Sequence, residues 1–167
     1  SSDVCSSDLL CERALVERAG VRPAAVCIYP RFVTRAVARL TGSGVAVATV
    51  VNFPHGGTHW DSIIGDTQRA IADGVDEVDF VIPFRAAIAD EMFVVRDLAE
   101  AVVDACRRAG RPVHTKAILE TGALEDAPVI TRAADAVIGA GVDFIKTSTG
   151  KIQVGATPAA EIGRAHV

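Results

Sequence analysis

Glycines at positions 20, 44, 74, 110 and 141 each follow a helical pattern and lead into a short apolar run. They recur about every 30 residues, the length of one βα unit. A chain punctuated in this way is constrained to alternate strands and helices around a parallel sheet, because strands joined by helices run the same way. The pattern predicts a helical tail from Leu10 to Ala19 and a strand over Val26–Tyr29, stopped by Pro30. A helix over Phe32–Leu40 and a strand over Val45–Asn52 follow. The next helix carries Ile63, Ile64, Thr67 and Ile71 on one face, with Asp61 or Thr58 as its cap. Strand Glu77–Ile82 leads through Pro83 into a short helical turn. Helix Glu91–Ala109 points Val95, Leu98, Val102 and Cys106 inward. Strand Val113–Leu119, helix Leu124–Ala140 (Ile130, Ala134, Val137 and Ile138 inward) and strand Phe144–Thr149 complete the series. The triplets Gly74-Val75-Asp76 and Gly141-Val142-Asp143 echo each other, each closing a helix and opening a strand.

Repeated βα units close either as a doubly wound open sheet or as a barrel. No GxGxxG follows the first strand, which weakens a dinucleotide-binding reading. The expected fold is α/β, a partial (β/α)8 TIM barrel with about five of its eight parallel strands and their helices. A length of 167 residues fits one domain, and 50% hydrophobic content supports a core. The net charge of −4 argues against a nucleic-acid surface, and no apolar run reaches the length of a membrane span. There is no secretory pattern at the N-terminus. The cysteines at 5, 11, 27 and 106 lack metal-ligand spacing, so a reduced, cytoplasmic protein without a bound metal is expected. Residues 1–9 (SSDVCSSDL) and 161–167 (EIGRAHV) closely resemble translated sequencing-adapter DNA. They are expected to be artefactual tails around a partial barrel domain over 10–160, an internal piece of a longer gene.

Within this frame the lysines stand out. Of 17 basic residues, 14 are arginine, and Lys116, Lys146 and Lys151 all lie in one late segment. Arginine cannot serve as a neutral amine, whereas lysine can. Lys146 sits inside the run Asp143-Phe144-Ile145-Lys146-Thr147-Ser148-Thr149-Gly150-Lys151, where an ammonium is costly to bury and a lysine loses proton affinity. Schiff-base lysines are made in this way. Strand parity sorts the remaining side chains. Val78, Phe80 and Ile82 suit a helix-facing side, so Glu77, Asp79 and Val81 point to the barrel interior. Lys116 points inward from the next strand, and Phe144, Lys146 and Ser148 from the last. Asp79, Lys116 and Lys146 therefore meet in a dry interior, with Lys116 paired to Asp79 and its charge acting on Lys146. The plain alternative is a buried ion-pair cluster with no chemistry.

With these residues in place, the chain resembles the deoxyribose-phosphate aldolase family, class I aldolases on a (β/α)8 barrel. The likeness rests on Ala25–Phe32 (AVCIYPRF), Asn52-Phe53-Pro54-His55-Gly56, Asp76-Glu77-Val78-Asp79, Lys116–Gly122 (KAILETG) and Phe144–Lys151. It implies reversible aldol cleavage of 2-deoxy-D-ribose 5-phosphate to glyceraldehyde 3-phosphate and acetaldehyde, a step of deoxyribonucleotide catabolism and carbohydrate degradation. Lys146 is implied as the Schiff-base lysine and Asp79 as the acid of the proton relay, with Lys116 in support. Gly150 and Lys151 are implied as phosphate contacts, and Cys27 as a pocket residue that packs and takes no part in the chemistry. His55 is a loop-shaping residue on this reading. No cofactor is implied, and the partners are a phosphorylated sugar and an aldehyde, with no nucleic acid and no membrane. The parent enzyme is a candidate homo-oligomer. The family's first strand and last two strands are missing, and with them a second active-site lysine in a Gly-Phe-Lys-Pro-like segment. The chain by itself is accordingly expected to be an inactive, incomplete barrel or a half-barrel that self-associates.

Overall fold

A computed structural model describes residues 2–157, with side chains from residue 7 onward. Parallel strands β1 (Ala25–Ile28), β2 (Ala46–Val51), β3 (Glu77–Val81), β4 (His114–Ile118) and β5 (Phe144–Lys146) form one five-stranded sheet in sequential order. Helices α1 (Ser2–Leu15), α2 (Val33–Leu40), α3 (Trp60–Ala72), α4 (Phe84–Ile88), α5 (Met92–Arg107), α6 (Thr121–Leu124) and α7 (Ala127–Gly139) fill the intervals. This is the expected α/β, partial-barrel architecture. The expected tail at 161–167 lies outside the described residues.

Side-chain period decides which face each strand buries. Val78, Phe80 and Ile82 are fully buried beneath the helices. Removing such a side chain as Phe80 costs about 3–5 kcal/mol, transfer and cavity together. The helix opposite obeys the 3.6-residue period. On α5, Val95, Leu98, Val102 and Cys106 are buried as expected, joined by Ala99 and Val103. The helix ends at Arg107 with Arg108 as its C-terminal cap, and Gly110 then takes φ +73°. Flanked by α3 and α7, α5 covers the centre of the layer.

Several boundaries differ from expectation. The first helix starts at Ser2, and Asp8 within it pairs with Arg35 and, at 3.1 Å, with Arg39. Two arginines on α2 thus draw a polar segment into helical register. Neither Asp61 nor Thr58 caps α3; His59 stands at that position without a side-chain cap bond. The helix expected from Leu124 starts at Ala127, because Leu124 closes the separate α6, Glu125 takes φ +56° and Asp126 restarts the chain. Ile138 is 44% exposed and does not face inward; Ala133, Ala134 and Val137 form the buried stripe. The last strand ends at Lys146, and the chain there is tied on by two separate hydrogen bonds, Leu119 N to Lys146 O and Thr121 N to Thr147 O, both 2.9 Å.

The triplet echo has a physical role. The Asp76 carboxylate accepts the Val47 N–H at 2.8 Å, one strand back. The Asp143 carboxylate accepts the Thr115 N–H at 2.8 Å and the Thr115 hydroxyl at 2.9 Å, again one strand back. Each aspartate satisfies a backbone donor at the N-terminal end of the preceding strand, the end of a barrel that serves stability. Burial pushes the Asp143 carboxyl up, but the hydrogen bonds from Thr115 and the nearby His114 outweigh it and hold the carboxyl below its ordinary value. That contribution is therefore present above the ordinary carboxylate range and lost as pH falls through the lowered folded value. Asp143→Ala should lower unfolding stability by about 1 kcal/mol near neutral pH, given the partial exposure of the group. Urea titrations should show this gap closing in acid.

Candidate active site

The register stacks the interior-facing side chains in layers. Cys27, Ala48, Glu77 and His114 form one row across β1–β4. Val50, Asp79, Lys116 and Phe144 form the next, and Ile118 sits beside Lys146 in the row above. Lys146 thereby stands one step nearer the C-terminal ends of the strands, where βα loops gather.

Asp79 is the hub. Its side chain is 4% exposed, and Oδ2 accepts the Lys146 Nζ at 3.2 Å. Lys116 Nζ stands 3.5 Å from the other oxygen, Oδ1, without hydrogen-bond geometry. The nearer partner of Lys116 is Glu77, with which it forms a direct ion pair, and its amine also lies 5.6 Å from the Phe144 ring centre. Expecting Lys116 to pair with Asp79 alone therefore missed Glu77. Parity had already turned Glu77 inward, and the register puts it beside His114, within reach of the long Lys116 side chain. Two carboxylates face two amines, so the cluster can balance its charge internally, the condition for keeping ions in a low-dielectric site.

The expected dry interior is corrected. Lys146 remains 41% exposed, against 21% for Lys116. The five strands form an open sheet, with β5 at its edge, so solvent reaches the outer row. Cys27, on the other edge strand, is also open to solvent on one side, yet burial of its thiol pushes it up, more than the negative charge of Asp79 does. It looks onto the same charges, with Asp79, Lys146, Lys116 and Glu77 all within electrostatic range.

The rim is built from the segments that follow each strand. Asn52 takes φ +54°, and its amide nitrogen donates to Gly57 O and Val81 O, both at 2.9 Å, while its oxygen accepts the Gly57 N–H at 2.9 Å. One side chain therefore closes the 53–57 loop and ties it to β3. Gly56, at φ +58°, lies so close to the Ile82 carbonyl and the Phe84 ring that no side chain would fit. The carbonyl of His55 accepts from Arg85 at 3.0 Å, and the residue is exposed. Gly150 and Lys151 are exposed just past β5, and the Lys151 N–H donates to Thr149 Oγ1 at 3.0 Å. Glu120, fully buried, accepts from the Thr149 hydroxyl and, at 3.3 Å, from the Thr149 N–H. Its one sequence signal was a carboxylate ending the apolar run Ala117-Ile118-Leu119. Among the described residues no group of histidine, cysteine and carboxylate side chains is arranged to hold a metal ion, and no helix is long and apolar enough to cross a membrane.

Residues 9–162 match the family described as DeoC/LacD family aldolase. A curated deoxyribose-phosphate aldolase of Agrobacterium fabrum is 46% identical over 149 residues, which cover 89% of this chain and 56% of that protein. A solved structure of a candidate deoxyribose-phosphate aldolase from Coccidioides immitis superposes with a TM-score of 0.86 at 31% identity, over 96% of this chain and 60% of that one. The aldolase QR15 gives a TM-score of 0.83 at 26% identity, over 99% and 69%. The chain thus spans little more than half the length of the curated relative.

The thiols should report this geometry. Cys106 is buried, and burial pushes its thiol up to about 11; Cys11 is buried as well. Iodoacetamide applied to the folded chain at mildly alkaline pH should label Cys27 at least tenfold faster than Cys11 or Cys106, read by peptide mass spectrometry.

Proposed function

The chain belongs to the DeoC/LacD aldolase family, and from that premise we propose that it carries the active centre of a deoxyribose-phosphate aldolase working through a Schiff base on Lys146. The reaction is reversible cleavage of 2-deoxy-D-ribose 5-phosphate to glyceraldehyde 3-phosphate and acetaldehyde. The observation that carries the reading is the Lys146 amine standing 3.2 Å from a buried carboxylate, on the open interior face of a parallel sheet.

The free amine of Lys146 attacks C1 of the open-chain sugar, and the carbinolamine loses water to give an iminium. The C2–C3 bond then breaks. Its electron pair moves into the C1–C2 bond as the iminium nitrogen regains its lone pair, and the C3 hydroxyl loses its proton to leave the aldehyde of glyceraldehyde 3-phosphate. The enamine takes a proton at C2, and water releases acetaldehyde. The protein amine is the electron sink, so no step calls for a metal or organic cofactor. Asp79 serves as the relay for these protons, directly or through water. Lys116, held by Glu77, supports the charge balance beside it. Gly150 and Lys151 take the phosphate, and Cys27 lines the pocket floor. The partners on this reading are a phosphorylated sugar and an aldehyde, in a cytoplasmic enzyme whose full-length form is a homo-oligomer.

A second reading concerns the chain by itself. Strands β1 and β5 each have a single neighbour, and unpaired edges invite association. On this reading the chain is an incomplete barrel that is inactive or pairs with a second copy, and residues 1–9 and 161–167 are foreign to the aldolase domain at 10–160.

Borohydride reduction in the presence of acetaldehyde should leave an N-ethyl group on Lys146, mapped by peptide mass spectrometry and absent in Lys146→Met. An ethyl group on Lys116 in its place would overturn the assignment. Asp79→Asn should slow adduct formation about 100-fold, the lower range for loss of a proton-transfer group. Size-exclusion chromatography of the same sample separates a monomer from a defined dimer.

A further inference from the structure

Glu120 has no part in the steps above, yet its setting combines burial with a strained backbone. It is a fully buried carboxyl on a residue with φ +56°, at the junction of β4 and α6. A non-glycine residue in left-handed backbone is strained, and a buried carboxyl must find partners to be tolerated. Both of its oxygens are spent on one residue, Thr149: Oε2 accepts the hydroxyl proton, and Oε1 accepts the backbone N–H at 3.3 Å. The Thr149 hydroxyl, its proton committed to Glu120, accepts the Lys151 N–H at 3.0 Å. The same junction holds the segment at two further points, through Leu119 N to Lys146 O and Thr121 N to Thr147 O. A side chain on Gly122 would collide with the Val154 carbonyl, so the chain beyond Lys151 also lies against α6.

We propose that Glu120 is a positioning residue that acts through Thr149 to fix the backbone of residues 148–151, and so sets the distance between the Lys146 amine and the phosphate-directed groups at Gly150 and Lys151. This rests on the aldolase reading and deepens it: Glu120 becomes a determinant of preference for phosphorylated over unphosphorylated sugars. Glutamine replaces it imperfectly, because its NH2 can meet the Thr149 hydroxyl only if that hydroxyl turns its proton away and accepts, beside the Lys151 N–H it already accepts. Its carbonyl can still accept the Thr149 N–H, but the hydroxyl loses the acceptor that fixes its proton.

The test compares the 167-residue chain with Glu120→Gln, Thr149→Val and Thr149→Ser. One measurement is borohydride trapping on Lys146 against the concentration of 2-deoxyribose 5-phosphate or of 2-deoxyribose. Glu120→Gln and Thr149→Val should lose about tenfold more apparent affinity for the phosphorylated sugar than for the unphosphorylated one, the scale of one hydrogen bond to a charged acceptor. Thr149→Ser, which keeps the hydroxyl, should restore most of it. Equal losses for both sugars would reduce Glu120 to a packing role and overturn the proposal. The second measurement needs no chemistry: amide hydrogen exchange at Thr149 and Lys151 should quicken about tenfold in Glu120→Gln while the amides of β3 keep their protection. Unchanged exchange at 149 and 151 overturns the proposal. Absence of trapping in the unsubstituted chain would sink Schiff-base chemistry in this chain alone, and exchange would then decide the role of Glu120. Should Glu120→Gln fail to fold, Thr149→Val, which leaves Glu120 in place, carries both measurements.

Discussion

The β3–β4–β5 register is the constraint on which the site depends. Asp79 pairs with Lys116 across one strand boundary, and Lys146 follows one step along the next strand. A shift of a single residue in either pairing would send a charged side chain to the opposite face, among fully buried groups such as Val78, Phe80 and Ala117. The hydrophobic helix-facing side therefore enforces the position of the polar interior side. Packing and chemistry here are two faces of one alternation.

Within the cluster, charge is apportioned. Lys116 has Glu77 as its close partner, which leaves one oxygen of Asp79 to Lys146. Asp79 is the most enclosed member and Lys146 the most open. The contact between them thus joins a solvent-touching amine to a carboxylate held by its surroundings. The rim residues act on geometry, with Asn52 on one side and Glu120 on the other pinning the segments that border the cluster.

Most of the architecture was legible in the sequence because its signals are local. Glycine stops, apolar runs and two-residue parity gave the strands, the face of Lys146 and the inward turn of Asp79. What escaped was set by partners distant in the chain. Asp8 meets Arg35 and Arg39 across 27 or more positions, and no pattern within residues 2–9 announces it. Glu77 and Lys116 are 39 residues apart, and choosing between Glu77 and Asp79 as the partner needed side-chain reach as well as facing. Ile138 fitted an inward stripe by period alone, but the stripe turned toward Ala133, Ala134 and Val137 once α7 began at Ala127. The exposure of Lys146 depends on what covers a sheet edge, which strand parity does not encode.

The aspartates at 76 and 143 carry a consequence for how such a chain is assembled. Each reaches back only to the strand before it, so a new βα unit can latch onto its predecessor without waiting for anything downstream. Emerging from a ribosome, the chain could ratchet forward one module at a time, each docking on the last. The same short reach would let modules be duplicated or joined during evolution, since the fastener travels with the piece it fastens.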